Sequence, residues 1–227
     1  MGKVFETGHP FFERKNHSFD TNVTSGESLP VEVDEVKIWN EFVQGDERAL
    51  AYIYRSYAKK TYQYCRQFTK NDQLIWDAIQ DMFFDLMKNR DKLSLPKSLK
   101  AYLFSSIRRK LHRQLEKENK YELRDGLDDD NVFQMQLSRE SIVINDNLTE
   151  EQKKTLESAC NQLPTKQREA ILLMYYEGLT YEEIATIMGM SRVKSARALI
   201  YRAIDSLSLQ LSTLKGKLIL ILLAMGI

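Results

Sequence analysis

A chain of 227 residues, 43% apolar and with only nine Gly and four Pro, has room for two small cores and points to mainly helical, packed structure. Its two cysteines, Cys65 and Cys160, stand far apart and outside any CxxC or Cys/His cluster, which excludes a disulfide framework or a zinc site and leaves buried thiols as the expectation. The net charge of +1 hides a partition: residues 1–35 carry 3 basic and 7 acidic groups, 36–120 carry 18 and 10, 121–163 carry 4 and 10, and 164–227 carry 8 and 5. Two basic blocks are separated by an acidic one, a pattern that suits two modules facing nucleic acid, because phosphate responds to local charge.

Residues 1–35 mix Pro, Gly, Ser, Thr and Asn without a sustained period and lack the apolar stretch of a signal peptide, so a poorly ordered extension and a cytoplasmic location are expected. From Val36 the pattern turns helical. Val36, Trp39, Phe42 and Val43 form a first stripe ending at Gly45, and Asp46 is placed to cap a second helix, whose inner face is Leu50, Ile53, Tyr54, Tyr57, Tyr64 and Phe68. After a polar break at Thr69–Asp72, Leu74, Ile75, Ala78, Ile79, Met82, Phe83, Leu86 and Met87 line a third helix, with Asp77, Asp81 and Asp85 on another side. Beyond the loop Arg90–Pro96, Ser98 can cap a fourth helix. There Tyr102, Leu103, Ile107, Leu111 and Leu115 face inward while Lys100, Arg108, Arg109, His112 and Arg113 spread over the rest.

These helices give a first domain over residues 36–118. Residues 119–148, containing Asp128, Asp129 and Asp130, read as a flexible acidic linker. A second domain spans 149–212. Thr149 with Gln152, and Thr180 with Glu183, match the capping box, and a further helix starts near Pro164 and stops at Gly178. The stretch Leu179–Ser191, LTYEEIATIMGMS, is the first half of a helix-turn-helix. Ala185 lets two helices cross closely, Gly189 supplies the permissive backbone of the turn, and Ser191 can cap the helix that follows. In that helix Val193, Ala196, Ile200, Ala203 and Leu207 should pack inward. Lys194, Ser195, Ala198, Tyr201 and Arg202 then point outward with Arg192 and Arg197 beside them, where Arg, Lys and Ser can bond base edges and phosphates. Residues 213–227 form an apolar tail. Its run Leu218–Ile227 is ten residues long, half the ~20 needed to span a bilayer; burial on the C-terminal domain or on a partner is expected for it, with insertion at a membrane surface as the alternative.

The stretch LPTKQREAILLMYYEGLTYEEIATIMGMS, Leu163–Ser191, resembles region 4 of the sigma-70 family in its compact extracytoplasmic-function type. Independently, DAIQDMFFDLM, Asp77–Met87, is similar to the region 2 helix of that family that docks on the polymerase β′ clamp, with Asp77, Gln80, Asp81 and Phe83 at matching positions and Met87 where Trp is usual. AYLFSSIRRKLHRQLEK resembles the helix that opens and reads the −10 element, with Arg109 in place of a frequent Asn. The resemblance covers roughly residues 40–118 and 150–210, in the family's order.

It implies an all-α protein of two small helical domains that brings RNA polymerase to promoters without catalysing a reaction and without a cofactor or metal. It further implies a −35 surface at Ser191, Arg192, Lys194, Ser195, Arg197 and Arg202, and a −10 surface at Lys100, Tyr102, Arg108, Arg109, His112 and Arg113. The partners it implies are core RNA polymerase, through the β′ clamp and β flap, and promoter DNA, with room for an anti-sigma factor and no small-molecule substrate. An enzyme would need more than Asp77, Asp81 and Asp85, which lack His partners and a second carboxylate helix. A helix-turn-helix regulator with a helical sensing domain is the other class of reading, but a sensor has no need of the Asp77–Met87 block.

Overall fold

The computed structural model describes residues 34–122 and 150–211. The N-terminal extension, most of the linker, Thr149 and the apolar tail lie outside the described residues. Among those described, every regular element is helical: α1 (Glu35–Val43), α2 (Glu47–Cys65), α3 (Asp72–Lys88), a 3-10 turn at Arg90–Lys92, α4 (Leu99–Glu122), α5 (Glu150–Asn161), α6 (Thr165–Ile171) running into a π-helical turn at Leu172–Tyr176, α7 (Tyr181–Ile187) and α8 (Val193–Gln210).

Short polar side chains start these helices, Asp46 and Ser98 where the sequence predicts a cap and Asp34 and Asn71 in addition. Asp34 accepts from the N–H groups of Val36 and Lys37, Asp46 from Arg48 and Asn71 from Leu74, each quenching donors that the first turn leaves without an intrahelical acceptor. Ser98 Oγ does the same for Ala101 N–H at 3.2 Å. In the N-terminal half the apolar faces of α1 to α4 enclose a core of Trp39, Phe42, Ile53, Tyr64, Ile75, Ile79, Phe83, Phe104, Ile107 and Leu111. Trp39 lies against Phe42 and edge-on to Tyr102, at centroid distances of 5.5 and 5.6 Å. Glu35 ties three helices together, accepting from Tyr57 Oη at 3.0 Å and from Leu99 N–H at 3.3 Å.

In the C-terminal half, Ile171, Leu173, Ile184, Ala185, Ala196, Ile200 and Ala203 are buried where α6, α7 and α8 meet. The small residues Ala185 and Ala196 allow the close crossing of a helix-turn-helix, and Gly189 stands in its turn with φ +67°. Thr180 and Glu183 form the expected reciprocal capping box. Burial raises both thiols: Cys65 is held in its protonated form, and Cys160 is pushed up to about 12.

Several expectations are corrected. Val36 and Val193 are exposed, because each sits in the first turn of its helix, before the helix meets its partner; Leu199 takes the buried place on α8. Helix α2 ends at Cys65, and Phe68 packs into the core from the turn beyond it. Ser191 is not the cap of α8: Arg192 occupies that position in extended backbone, with no side-chain hydrogen bond. The linker reading also omits a contact, for the two halves pack on each other, α4 against α7.

Candidate nucleic-acid interface

Helix α8 and the two residues before it present the set expected of a recognition helix. Ser191, Arg192, Lys194, Ser195, Arg197 and Arg202 are all exposed, while Ala196, Leu199, Ile200 and Ala203 anchor the opposite face. Two of these cations are steadied from behind. Arg197 lies over the Tyr181 ring, its guanidinium carbon 5.2 Å from the centroid, and Tyr201 meets Tyr181 edge-on at 6.4 Å. Arg202 Nε donates to the Ala198 carbonyl at 3.2 Å. Tyr181 was not singled out by sequence, where it reads as one more aromatic at the start of a helix.

On α3, Asp77, Gln80 and Asp81 are exposed on one face, as a docking surface requires. Phe83 is not part of it: at 1% exposure it is a core residue packed on Tyr54 at 5.0 Å. Its neighbour Phe84, at 56%, is the aromatic that stands at the surface beside the acidic stripe. One end of that stripe is already engaged, since Lys110 Nζ lies 2.6 Å from Asp85 Oδ2.

The six residues expected at −10 divide into three groups. Arg109 and Arg113 are exposed on α4. Tyr102 and His112 pack back onto their own half, edge-on to Trp39 and to Phe68 respectively. Lys100 and Arg108 are enclosed by the C-terminal half.

Arg108 donates through Nε to Glu169 Oε1 at 2.7 Å and through a terminal nitrogen to Oε2 at 3.1 Å, a forked pair that the Tyr64 hydroxyl completes by donating to Oε1 at 2.6 Å. The Glu169 side chain is 2% exposed and that of Arg108 21%. Burial by itself would lower the Arg108 pKa, but the hydrogen bond and charge of Glu169 outweigh it and the net shift is upward. Burial, followed by the Glu169 charge, holds the Tyr64 phenol well above its ordinary value.

Lys100 Nζ pairs with the Glu177 carboxylate at 3.0 Å and also donates to the Glu177 backbone carbonyl, placing a cation at the C-terminal end of the π-helical turn. Lys97 reaches Glu182 at 3.0 Å at the exposed rim. Burial would raise the pKa of Glu183, yet hydrogen bonds from Ser98 and Thr180 bring it below the ordinary glutamate value. Sequence reading gave Lys100 and Arg108 to the −10 surface, Tyr64 to the core and Glu183 to a capping box, and singled out none of Lys97, Glu169, Glu177 and Glu182.

Among the described residues no group of His, Cys, Asp and Glu could hold a metal ion, and no helix is long and apolar enough to cross a membrane.

Comparison with known proteins agrees with this geometry. No curated protein matches the chain. Among solved structures, it is similar to CnrH in complex with the cytosolic domain of CnrY, with 21% identity, a TM-score of 0.52 and coverage of 78% of this chain and 96% of that one. It is also similar to the sigma factor RpoE in complex with the anti-sigma factor NepR from Bartonella quintana, with 20% identity, a TM-score of 0.49 and coverage of 73% and 96%. Residues 53–121 match the family model for Sigma-70 region 2, and residues 153–208 match that for Sigma-70, region 4. With α2 to α4 under the first match and α5 to α8 under the second, in that order along one chain, the protein belongs to the sigma-70 family and is a sigma factor of transcription initiation.

Proposed function

We propose that this sigma factor is of the extracytoplasmic-function type, working in the cytoplasm with core RNA polymerase and promoter DNA, with no cofactor and no catalytic role of its own. Residues 36–118 serve polymerase docking and the −10 element, and residues 149–212 serve the −35 element. The observation that carries the reading is the exposed array Ser191, Arg192, Lys194, Ser195, Arg197 and Arg202, set on a helix-turn-helix. Side chains of these types, held at the N-terminal end of a helix, can donate to guanine edges and to flanking phosphates. On the other half, Asp77, Gln80 and Asp81 leave an acidic face for a basic surface of the polymerase clamp, with Phe84 as its apolar element. Arg109 and Arg113 supply backbone contacts to the melted strand. An anti-sigma factor is a further partner this reading admits.

Reconstituted transcription with core polymerase on a promoter library tests it. Lys194→Ala and Arg197→Ala should each weaken use of −35-dependent promoters by about 1–3 kcal/mol, the worth of one bidentate base contact. Gln80→Ala combined with Asp81→Arg should weaken binding to core polymerase while circular dichroism stays unchanged. If the folded chain neither binds core nor supports initiation on any promoter in the library, the reading fails.

A further inference from the structure

We propose that the outer face of the α2–α3 pair is self-complementary and joins two copies of this chain in solution, about a two-fold axis parallel to the helices. The dimer goes beyond the function proposed above and rests on the charge and register of this one face.

Helix α2 carries Arg48, Arg55, Lys59 and Lys60, with Arg66 at its end, against a single carboxylate, Glu47. At 3.6 residues per turn, Arg48, Arg55, Lys59 and Arg66 fall within about 40° of one another around the helix axis, and Glu47 lies well to one side. Arg48, Arg55 and Lys59 are exposed. On the opposite side of the helix Tyr64 meets Phe104 of α4 at 5.3 Å and donates to Glu169 of the C-terminal half. The basic row therefore faces away from both.

Beside it, α3 presents the reverse charge. Gln73, Asp77, Gln80 and Phe84 follow one another by steps of four and three residues, all exposed, with Asp81 next to them. Between the two rows the rings of Tyr62 and Trp76 stack at 5.1 Å, both partly exposed. Asp72 fastens the start of α3 to α2, accepting from Tyr62 Oη at 2.8 Å and from Arg66 at 2.9 Å. Across its width the face runs from cations through aromatic rings to carboxylates. A partner must carry the reverse order, and this face turned over does so.

The symmetry follows from that order. With an axis lying between the two faces and running along the helices, α2 of each copy stands over α3 of the other, and residues level with each other in one copy are opposed across the contact. The pairs Tyr62–Trp76 and Arg66–Asp72 show that α2 and α3 run antiparallel, and they set the levels. Counting back along α2 and forward along α3, Lys59 stands level with Ile79 and Gln80, and Arg55 with Phe83 and Phe84. Lys59 and Arg55 of each copy thus fall among Asp77, Gln80, Asp81 and Phe84 of the other. The Tyr62–Trp76 stacks meet in the middle, where aromatic anchors contribute most to an interface. An axis across the helices would set α2 on α2 and oppose like charges.

Asp77, Gln80 and Asp81 belong to this face, so on the function proposed above a dimer and polymerase docking exclude each other.

Sedimentation equilibrium of the full chain over a concentration series should show monomer passing to dimer and no larger species. Arg55→Glu with Lys59→Glu, and separately Asp77→Arg with Asp81→Arg, should each weaken dimerisation by at least about tenfold, because like charges are then opposed. Mixed in equal amounts, the two variants should associate about as tightly as the unaltered chain, since both rows again meet the opposite sign. All four positions are exposed, and unchanged circular dichroism shows that each variant folds.

A chain that stays monomeric up to its solubility limit overturns the dimer. So does association that survives both reversals, growth beyond two copies, or failure of the mixed variants to associate. Core polymerase added to the dimer should take it apart. A dimer left intact by bound polymerase overturns the placement of polymerase docking on this face, and the mixing experiment still decides the dimer.

Discussion

Gly189 carries the turn on which the recognition helix depends. Its φ of +67° lies in the left-handed region, and a Cβ built there would meet nothing within 4 Å, so the whole cost of a side chain is backbone strain. Gly189→Ala should destabilise the C-terminal half by about 1–2 kcal/mol, and Gly189→Asn by less, since Asn tolerates that conformation. Urea melts of the two variants measure the difference, and equal losses would show that sterics govern the site. The capping box one helix earlier works by a different means. Thr180 Oγ1 accepts from Glu183 N–H at 3.3 Å while Glu183 Oε2 accepts from Thr180 N–H at 2.8 Å, so two exposed backbone donors are satisfied with no strain at all.

Among the elements, α7 and α8 illustrate how a short helix aims a longer one. Tyr181 opens α7 and supports Arg197 of α8 with its ring face, which narrows the directions open to a guanidinium otherwise surrounded by water. Tyr181→Leu keeps the apolar bulk and removes the ring, and promoter binding through −35 should weaken by about 0.5–1 kcal/mol. In the Arg197→Ala background the same change should have no further effect. Additive losses in this double-mutant cycle, measured on a −35 duplex with the polymerase holoenzyme, would show that Tyr181 acts elsewhere.

Most of the helices were legible in the sequence because apolar side chains recur every three or four residues, and because Asp, Asn, Ser and Thr stand where first-turn donors need acceptors. The exceptions have physical reasons. Val36 and Val193 fit the period but precede the point where their helices meet a partner, and Phe83 and Phe84 are adjacent in sequence while only the former faces inward. The turn around Gly189 was legible from its glycine, yet Ser191 lies one residue short of the cap position, which Arg192 takes. The contact between the halves left no periodic trace. It joins Arg108 to a residue 61 positions away and Lys100 to one 77 away, through charged groups that a helical projection assigns to solvent. One local hint existed: Glu169 stands beside the apolar run Ala170–Leu173, a place where a carboxylate needs a buried partner.

At the scale of the whole molecule, the enclosure of Lys100 and Arg108 changes what DNA binding looks like to the surrounding electrolyte. A cation that meets phosphate from bulk solution displaces condensed counterions from the nucleic acid, and each such contact steepens the fall of affinity with salt. Lys100 and Arg108 instead stand already neutralised by Glu177 and Glu169, and glutamates that gave up these cations to a strand would gather others from solution. The exchange is nearly silent in ions released. For single-stranded −10 DNA, the log–log salt slope of the free chain should therefore be shallower by about 1.4 than that of a Glu169→Gln, Glu177→Gln variant, two contacts at about 0.7 each. Titrations between roughly 50 and 200 mM salt resolve a difference of this size. Internal neutralisation would make the free sigma factor a poor non-specific DNA binder at low ionic strength, where unpaired basic helices adhere to any strand they meet.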